Sequence, residues 1–323
     1  MSFIEVKDLK VHYPIRGGFF NKIIDYVYAV DGVSFTIEKG KTYGLVGESG
    51  SGKSTIGKAI IGLEKIKSGK IIYEGREIDR KFRNRRSEYN RNVQMIFQDS
   101  LSSLNPKKRV IDLISEPLRN FENLTLDEEK RKVSELLEIV GMNREDIFKY
   151  PHEFSGGQRQ RLGIARAVAT KPKLIIADEP VSALDLSVQA QVLNYMKDIQ
   201  EQFGLSYLFI SHDLGVVKHM CDYMFIMYHG RFVETGEKND IYKNPEHFYT
   251  KRLIAAIPEI HPEKRAENKR RRLKIEREYL ANEKKYYDEN GRVFDLKKLT
   301  DTHFVAFKDK NLRNDENSEK GGK

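Results

Sequence analysis

Residues 42–63 constrain the rest of this chain more than any other stretch. They read TYGLV, then GESGSGKS, then TIGKAIIGL. A short apolar run meets a glycine-rich turn, and the turn opens into a helix. Gly47, Gly52, Lys53 and Ser54 fit the spacing G-x-x-x-x-G-K-[ST] of a phosphate-binding loop. Glycines let the backbone curl so that successive N–H groups converge on phosphate oxygens. The helix that follows turns its positive end to the same oxygens. Gly47, Glu48, Ser49, Gly50, Ser51, Gly52, Lys53, Ser54 and Thr55 are therefore the candidate phosphate cradle. Lys53 can reach the terminal phosphates, and the Ser54 hydroxyl can ligate Mg²⁺. The alternative, a chance Gly/Ser turn, is disfavoured because strand and helix flank the loop in the required order.

A chain of 323 residues points to two units rather than one. The formal charge of +9 suits a polyphosphate, an anionic membrane surface or nucleic acid, and does not choose among them. The lone Cys221 excludes an intrachain disulfide and a cysteine metal cluster. The start, MSFIEVKDLK, lacks a signal peptide's apolar run. No stretch approaches the roughly 20 apolar residues of a membrane span. Work at a membrane would need the membrane part of other chains.

Residues 4–13 and 27–37 read as strands, with 16–25 a loop turning at Gly17-Gly18. Residues 70–73 and 92–97 read as further strands, and the basic stretch 76–91 between them as a solvated loop. From about 101 to 170 the pattern becomes helical. Thr125-Leu126-Asp127-Glu128 is a capping box whose helix runs to Val140 and stops at Gly141. Strands at 174–177, 206–210 and 223–227 then alternate with helices at 187–203 and 214–220. That pattern predicts an α/β fold, a parallel nucleotide-binding core interrupted by a helical subdomain. Residues 264–287 are dense in Lys, Arg and Glu and predict a solvated helix. The interleaved Glu263, Glu267, Glu276, Glu278 and Glu283 argue against nucleic acid there. Residues 311–323 read as disordered.

Two further stretches carry chemistry. In LIIADEP an apolar strand delivers Asp178 and Glu179 at its C-terminal end, the edge where open α/β sheets bind ligands. Asp178 can hold Mg²⁺, and Glu179 can polarise an attacking water. Exposed loop acids are the bland alternative, unexpected directly after four apolar residues. In FSGGQ, Ser155, Gly156, Gly157 and Gln158 open a helix suited to an anion.

With these stretches in hand, residues 4 to about 240 resemble the ATP-binding-cassette (ABC) ATPases. Six elements stand in family order. The loop from Gly47 to Thr55 resembles Walker A. Gln98 in QMIFQDS is similar to the Q-loop glutamine, which the family places near the metal. Phe154 to Gln158 matches the signature, with Phe in the usual Leu position. Asp178 and Glu179 resemble Walker B and its catalytic glutamate, Ser182-Ala183-Leu184-Asp185 the D-loop, and His212 in FISHDL the switch histidine. Tyr13 sits where the family places an adenine-stacking aromatic; its alternative role is a strand-end tyrosine. The resemblance implies a RecA-like P-loop NTPase core with ATP and Mg²⁺ as ligands. It also implies a head-to-tail dimer in which one cassette's signature closes over ATP on the other's Walker A.

FQDSLSSLNP, and NPEHFYTKRLIAAIP from Asn244 to Pro258, resemble the oligopeptide and dipeptide importer branch. The tail GRVFDLKKLTDTHFVAF is similar to that of the F-type ATPases of oligopeptide permeases. The resemblance divides the chain into a cassette, residues 1–243 with a helical subdomain at 99–170, and an extension, 244–323, ending in the charged tail. It implies a D-type ATPase as heterodimer partner, two transmembrane permeases and an external peptide-binding protein, at the cytoplasmic face of the cell membrane. Some relatives carry a cysteine cluster after the Pro258 region. None stands here, so no iron–sulfur cluster is expected. Dipeptide or nickel import, or a soluble cassette, are the alternatives. Retained Lys53, Glu179 and His212 argue against a non-hydrolysing cassette.

Overall fold

The computed structural model describes residues 2–18, 20–78, 87–99, 103–257, 265–282 and 285–308. The chain opens with a long antiparallel hairpin, β1 (Ser2–Gly17) and β2 (Lys22–Glu38). The loop expected at 16–25 is a tight turn instead: Asn21 N–H donates to the Gly18 carbonyl at 3.2 Å, and Gly18 has φ 73°. The Ile, Tyr and Val residues that follow suit a pleated surface, so the ladder continues almost to the turn. β3 (Thr42–Val46) leads into α1 (Lys53–Ile60). β4 (Ser68–Tyr73) and β5 (Arg76–Glu77) complete a first sheet in the order β2-β1-β4-β5.

The basic stretch 76–91 is only partly the expected loop. It begins with β5 and ends in α2 (Ser87–Asn92), where buried Tyr89 donates to the Ile60 carbonyl at 2.7 Å. Residues 79–86 lie outside the described residues. After β6 (Val93–Ile96) come α3 (Val110–Arg119), α4 (Leu126–Ile139) and α5 (Gly156–Val168), the expected helical insert. Thr125 caps α4 in a reciprocal box with Glu128, and Gly141 ends it at φ 68°.

The remaining elements are β7 (Leu174–Asp178), α6 (Leu186–Phe203), β8 (Ser206–Ser211), α7 (Leu214–Met220), β9 (Tyr223–Tyr228) and β10 (Arg231–Glu237). Then come α8 (Lys238–Lys243), α9 (Phe248–Ala255), α10 (Arg265–Asn282), β11 (Leu296–Lys298) and β12 (Phe304–Ala306). The main sheet has the order β11-β12-β10-β9-β3-β8-β7-β6. Its stretch from β9 to β6 is parallel. β3, β7 and β8 are buried at every residue, as strands covered on both faces must be. The edge is not parallel, however. β10 pairs antiparallel with β9, and β12 and β11 extend that edge.

The expected solvated helix is present as α10 and exposed along most of its length, but it stops at Asn282 and one side rests on α9. α10 packs on α9: Arg252 meets Glu276 at 3.3 Å, and Arg272 donates to the Ala256 carbonyl at 3.0 Å. Tyr279, Tyr286 and Tyr287 are buried. Their aromatic spacing is sparse among the charges, so composition hid them. The tail expected to be disordered, 311–323, lies outside the described residues.

Candidate functional site

Four parallel strands deliver the site's residues to one edge. β3 ends at Val46 and hands on to the phosphate loop, and β6 ends at Ile96, two residues before Gln98. β7 ends on Asp178, and β8 ends on Ser211, just before His212. All four ends are carboxyl ends of parallel strands, where loops can converge on one ligand.

The loop fits glycine at two positions and nothing larger. A Cβ on Gly47 would stand 2.2 Å from the Met227 carbonyl oxygen. One on Gly52, which has φ 104°, would stand 1.9 Å from the Ala29 carbonyl oxygen. The backbone of the loop thus lies directly against β9 and β2. Lys53 is buried, and its Nζ donates to the Gly47 and Glu48 carbonyls at 2.8 Å each and to Ser51 Oγ at 3.3 Å. Burial lowers its pKa, although the carboxylates of Glu179, Asp178 and Glu48 oppose that. The lysine is therefore a cation resting on neutral carbonyls, ready to trade them for anionic oxygens.

Ser54 Oγ donates to Asp178 Oδ1 at 2.8 Å. Burial pushes the Asp178 carboxyl above its ordinary value, against the Ser54 hydrogen bond. One residue on, Glu179 has φ 46°, unusual for a residue with a side chain, and its N–H donates to the Ile210 carbonyl at 2.9 Å. Its carboxylate is gripped from two sides: Gln98 Nε2 lies 2.8 Å from Oε2, and His212 Nδ1 lies 3.0 Å from Oε1. A cleft of about 630 Å³ is lined by the loop from Gly47 to Thr55, all but Ser51, together with Gln98, Glu179 and His212. Such a volume suits a nucleotide-sized ligand.

Other expected residues stand apart from that cleft. Ser155 caps α5 and is exposed; its Oγ accepts from Gln158 N–H at 3.3 Å, and Gln158 Oε1 accepts from Ser155 N–H at 3.0 Å. Gly156 lines a separate depression of about 220 Å³ with Gln98, Glu179 and Ala183. A Cβ on Gly156 would meet nothing, whereas one on Gly157 would strike Val188 at 2.6 Å. Asp185 caps α6 by position and is exposed. None of the signature or D-loop residues lines the cleft around the phosphate loop, although Gly156 and Ala183 share their depression with Gln98 and Glu179 of that cleft. Tyr13 is 37% exposed, and its hydroxyl engages Glu64 and Thr55 beside the start of α1. Burial and Glu64 push its pKa up.

Sequence reasoning missed Ala29 and Leu253 in the cleft wall, and Tyr249, whose hydroxyl accepts the Glu48 N–H at 2.9 Å. The available signal was the stretch NPEHFYTKRLIAAIP, which marks a branch but says nothing about proximity. A larger groove, about 720 Å³, runs between β6 and the insert, past Gln94, Phe97, Glu116, Phe121 and Arg166. It contains none of the phosphate-facing groups. Among the described residues, no helix is long and apolar enough to cross a membrane.

Comparison with known proteins adds to this geometry. Residues 30–182 match the family described as ABC transporter, and residues 233–289 match the family described as oligopeptide/dipeptide transporter, C-terminal region. The chain is 57% identical over 305 residues to the oligopeptide transport ATP-binding protein OppF of Lactococcus lactis, spanning 94% of this chain and 96% of that one. It is 45% identical to the dipeptide transport ATP-binding protein DppF of Escherichia coli, over 82% of this chain and 79% of that one. Its fold is similar to a dimeric ATP-binding cassette solved in a post-hydrolysis state with ADP and Pi. The TM-score is 0.63 at 24% identity, covering 73% of this chain and 98% of the other.

Proposed function

This chain belongs to the ATP-binding proteins of ABC transporters, in their oligopeptide and dipeptide branch, and on that premise we propose that it powers the import of oligopeptides. It is an ATP-hydrolysing cassette of a transporter that includes permease partners. The observation that carries the mechanism is the Glu179 carboxylate, held between Gln98 and His212 one residue beyond the Asp178–Ser54 pair.

In this reading, Lys53 and the loop amides bind the β- and γ-phosphates, and the start of α1 adds its positive end. Glu179 orients a water and takes its proton as the water oxygen bonds to the γ-phosphorus. The bond to the bridging oxygen breaks, and ADP carries that oxygen away. His212 fixes the Glu179 carboxylate and faces the terminal phosphate. Asp178, Ser54 and Gln98 would hold Mg²⁺. Adjacent hard oxygens at Ser54 and Asp178 fit that ion, and so does a buried carboxyl that a cation would hold ionised. When bound, Mg²⁺ supplies charge neutralisation across the phosphate oxygens. Tyr13 stacks on the adenine.

Ser155, Gly156, Gln158 and Asp185, exposed and off the cleft, and half-buried Gly157 act on the nucleotide of a second, D-type cassette. Two permease subunits dock on the helical insert, and an external binding protein supplies peptide. The chain works peripherally at the cytoplasmic face. Greater identity to the oligopeptide relative than to the dipeptide one favours the longer substrate.

The test is Glu179→Gln in the assembled transporter. ATP should still bind, while turnover falls about 10²–10⁴-fold. Near-normal turnover would sink the assignment of Glu179. Uptake of a labelled dipeptide in preference to a pentapeptide would overturn the substrate class.

A further inference from the structure

We infer that the C-terminal segment forms a wall of the nucleotide site, with Tyr249 as a positioning residue for the phosphate loop. The inference rests on the ATP-binding reading above. α9 (Phe248–Ala255) turns one face to the loop through Tyr249, Arg252 and Leu253, spaced i, i+3, i+4. Tyr249 is wholly buried, and its ring packs on Tyr228 at 4.7 Å between centroids. Its hydroxyl accepts the N–H of Glu48, 201 residues away, at 2.9 Å. Arg252 Nη2 stands 3.6 Å from the Glu48 carboxylate, and Leu253 lines the cleft.

Glu48 is the second residue of the loop, and it is held at both ends. Its N–H goes to Tyr249, and its carbonyl accepts from Lys53 Nζ at 2.8 Å. The tyrosine hydroxyl therefore fixes the Gly47–Glu48 peptide, whose carbonyl also accepts from the phosphate-binding Lys53 at 2.8 Å. A phenylalanine would fill the same ring pocket, so packing alone does not call for the hydroxyl. Without it, the free loop can turn the Glu48 N–H toward water, and nucleotide binding must turn it back. The loss then falls on affinity and not on the bond-breaking step.

The test is titration of a fluorescent ATP analogue against the full chain, with steady-state hydrolysis in the assembled transporter. Tyr249→Phe should weaken binding and raise KM about tenfold, with kcat at saturating ATP nearly unchanged. Thr250→Val is the control. Thr250 is the next residue, wholly buried, and among the described residues its hydroxyl has no hydrogen-bond partner, so its removal should leave affinity at the wild-type value. Leu253→Asp, at a half-buried position that also packs on the core, should weaken binding by setting a like charge beside the phosphates, with the thermal midpoint of the same sample confirming that the variant is folded. Wild-type affinity in Tyr249→Phe or in Leu253→Asp would overturn the inference. So would an equal loss in Thr250→Val, which would make the effect one of helix packing. A wild-type chain that binds no ATP would overturn the ATPase reading itself.

Discussion

Glu179 and Glu234 are each held by a histidine and by further polar partners, yet they sit in opposite surroundings. Glu179 accepts from Gln98 and pairs with His212 at 3.0 Å; the Glu179 side chain is 14% exposed and that of His212 55%, so water can reach the pair. Glu234 has no exposed surface. It accepts the N–H groups of Glu246 and His247 at 2.8 and 3.0 Å, and it meets His303 Nε2 at 2.7 Å. The first carboxylate hangs from loops at a sheet edge and can exchange its partners for water or phosphate. The second lies in β10 and ties the start of α9 to the turn before β12. Similar donors thus make a working group in one place and a clasp in the other. Burial decides which, because a sealed carboxylate that loses a partner has no water to replace it.

Exchanging each glutamate for glutamine separates the two roles. Glu179→Gln should lower hydrolysis by about 10²–10⁴-fold while the thermal midpoint scarcely moves. Glu234→Gln sets an amide donor against N–H donors and leaves His303 without its charge partner. It should cost about 3–5 kcal/mol in urea unfolding. A variant at 234 that unfolds like the wild type would break the comparison, as would a large drop in midpoint at 179.

Lys53 sharpens the point with a third buried group. Its hydrogen-bond partners are two carbonyls and a hydroxyl, none of them charged. Lys53→Ala should therefore leave stability nearly intact, since it removes a desolvated cation. It should weaken ATP binding by about 1.5–3 kcal/mol, the worth of a charge-assisted hydrogen bond. Calorimetry and thermal unfolding of the same sample would read both. Marked destabilisation would class Lys53 with Glu234.

The same contrast explains what the sequence makes legible. The phosphate loop, LIIADEP, FSGGQ and FISHDL each place their chemistry within a few contiguous residues, so the motif and the strand that delivers it are read together. The capping box at Thr125 and the alternation of strands and helices are local in the same sense. The clasp is not. Glu234, His247 and His303 span β10, the start of α9 and the far end of the chain, and each alone reads as a surface residue. β12 and β11 are only three residues long, and they exist because β10 offers them an edge. Nothing in the loop sequence points to Tyr249, because the contact with Glu48 depends on how α9 docks. The aromatics at 279, 286 and 287 were masked by the charge around them.

The clasp holds two histidines whose protonation is shifted in opposite senses, and that yields the finest prediction. His247 is sealed from water and near Lys251, and burial pushes it down to about 3. Its Nδ1 accepts the Tyr249 N–H at 3.2 Å, a role only the neutral ring can fill. Burial also opposes charge on His303, but the hydrogen bond and charge of Glu234, with Asp240 and Glu246 nearby, outweigh it and raise its pKa. An unfolded histidine titrates near about 6.5. Below that value the unfolded chain protonates His247 and the folded chain does not, so stability falls as pH falls. His303 runs the other way. Its contribution is fully present below about 6.5 and is lost as pH rises through its raised folded value. Together they give a stability maximum near the ordinary histidine pKa, with at most one proton's worth of slope on each limb. Urea midpoints taken from pH 5 to pH 9 would trace it. His303→Gln should flatten only the alkaline limb. His247→Asn, which keeps a capping acceptor, should flatten only the acid one. If either substitution flattened both limbs, or neither, the opposed shifts would not be the cause.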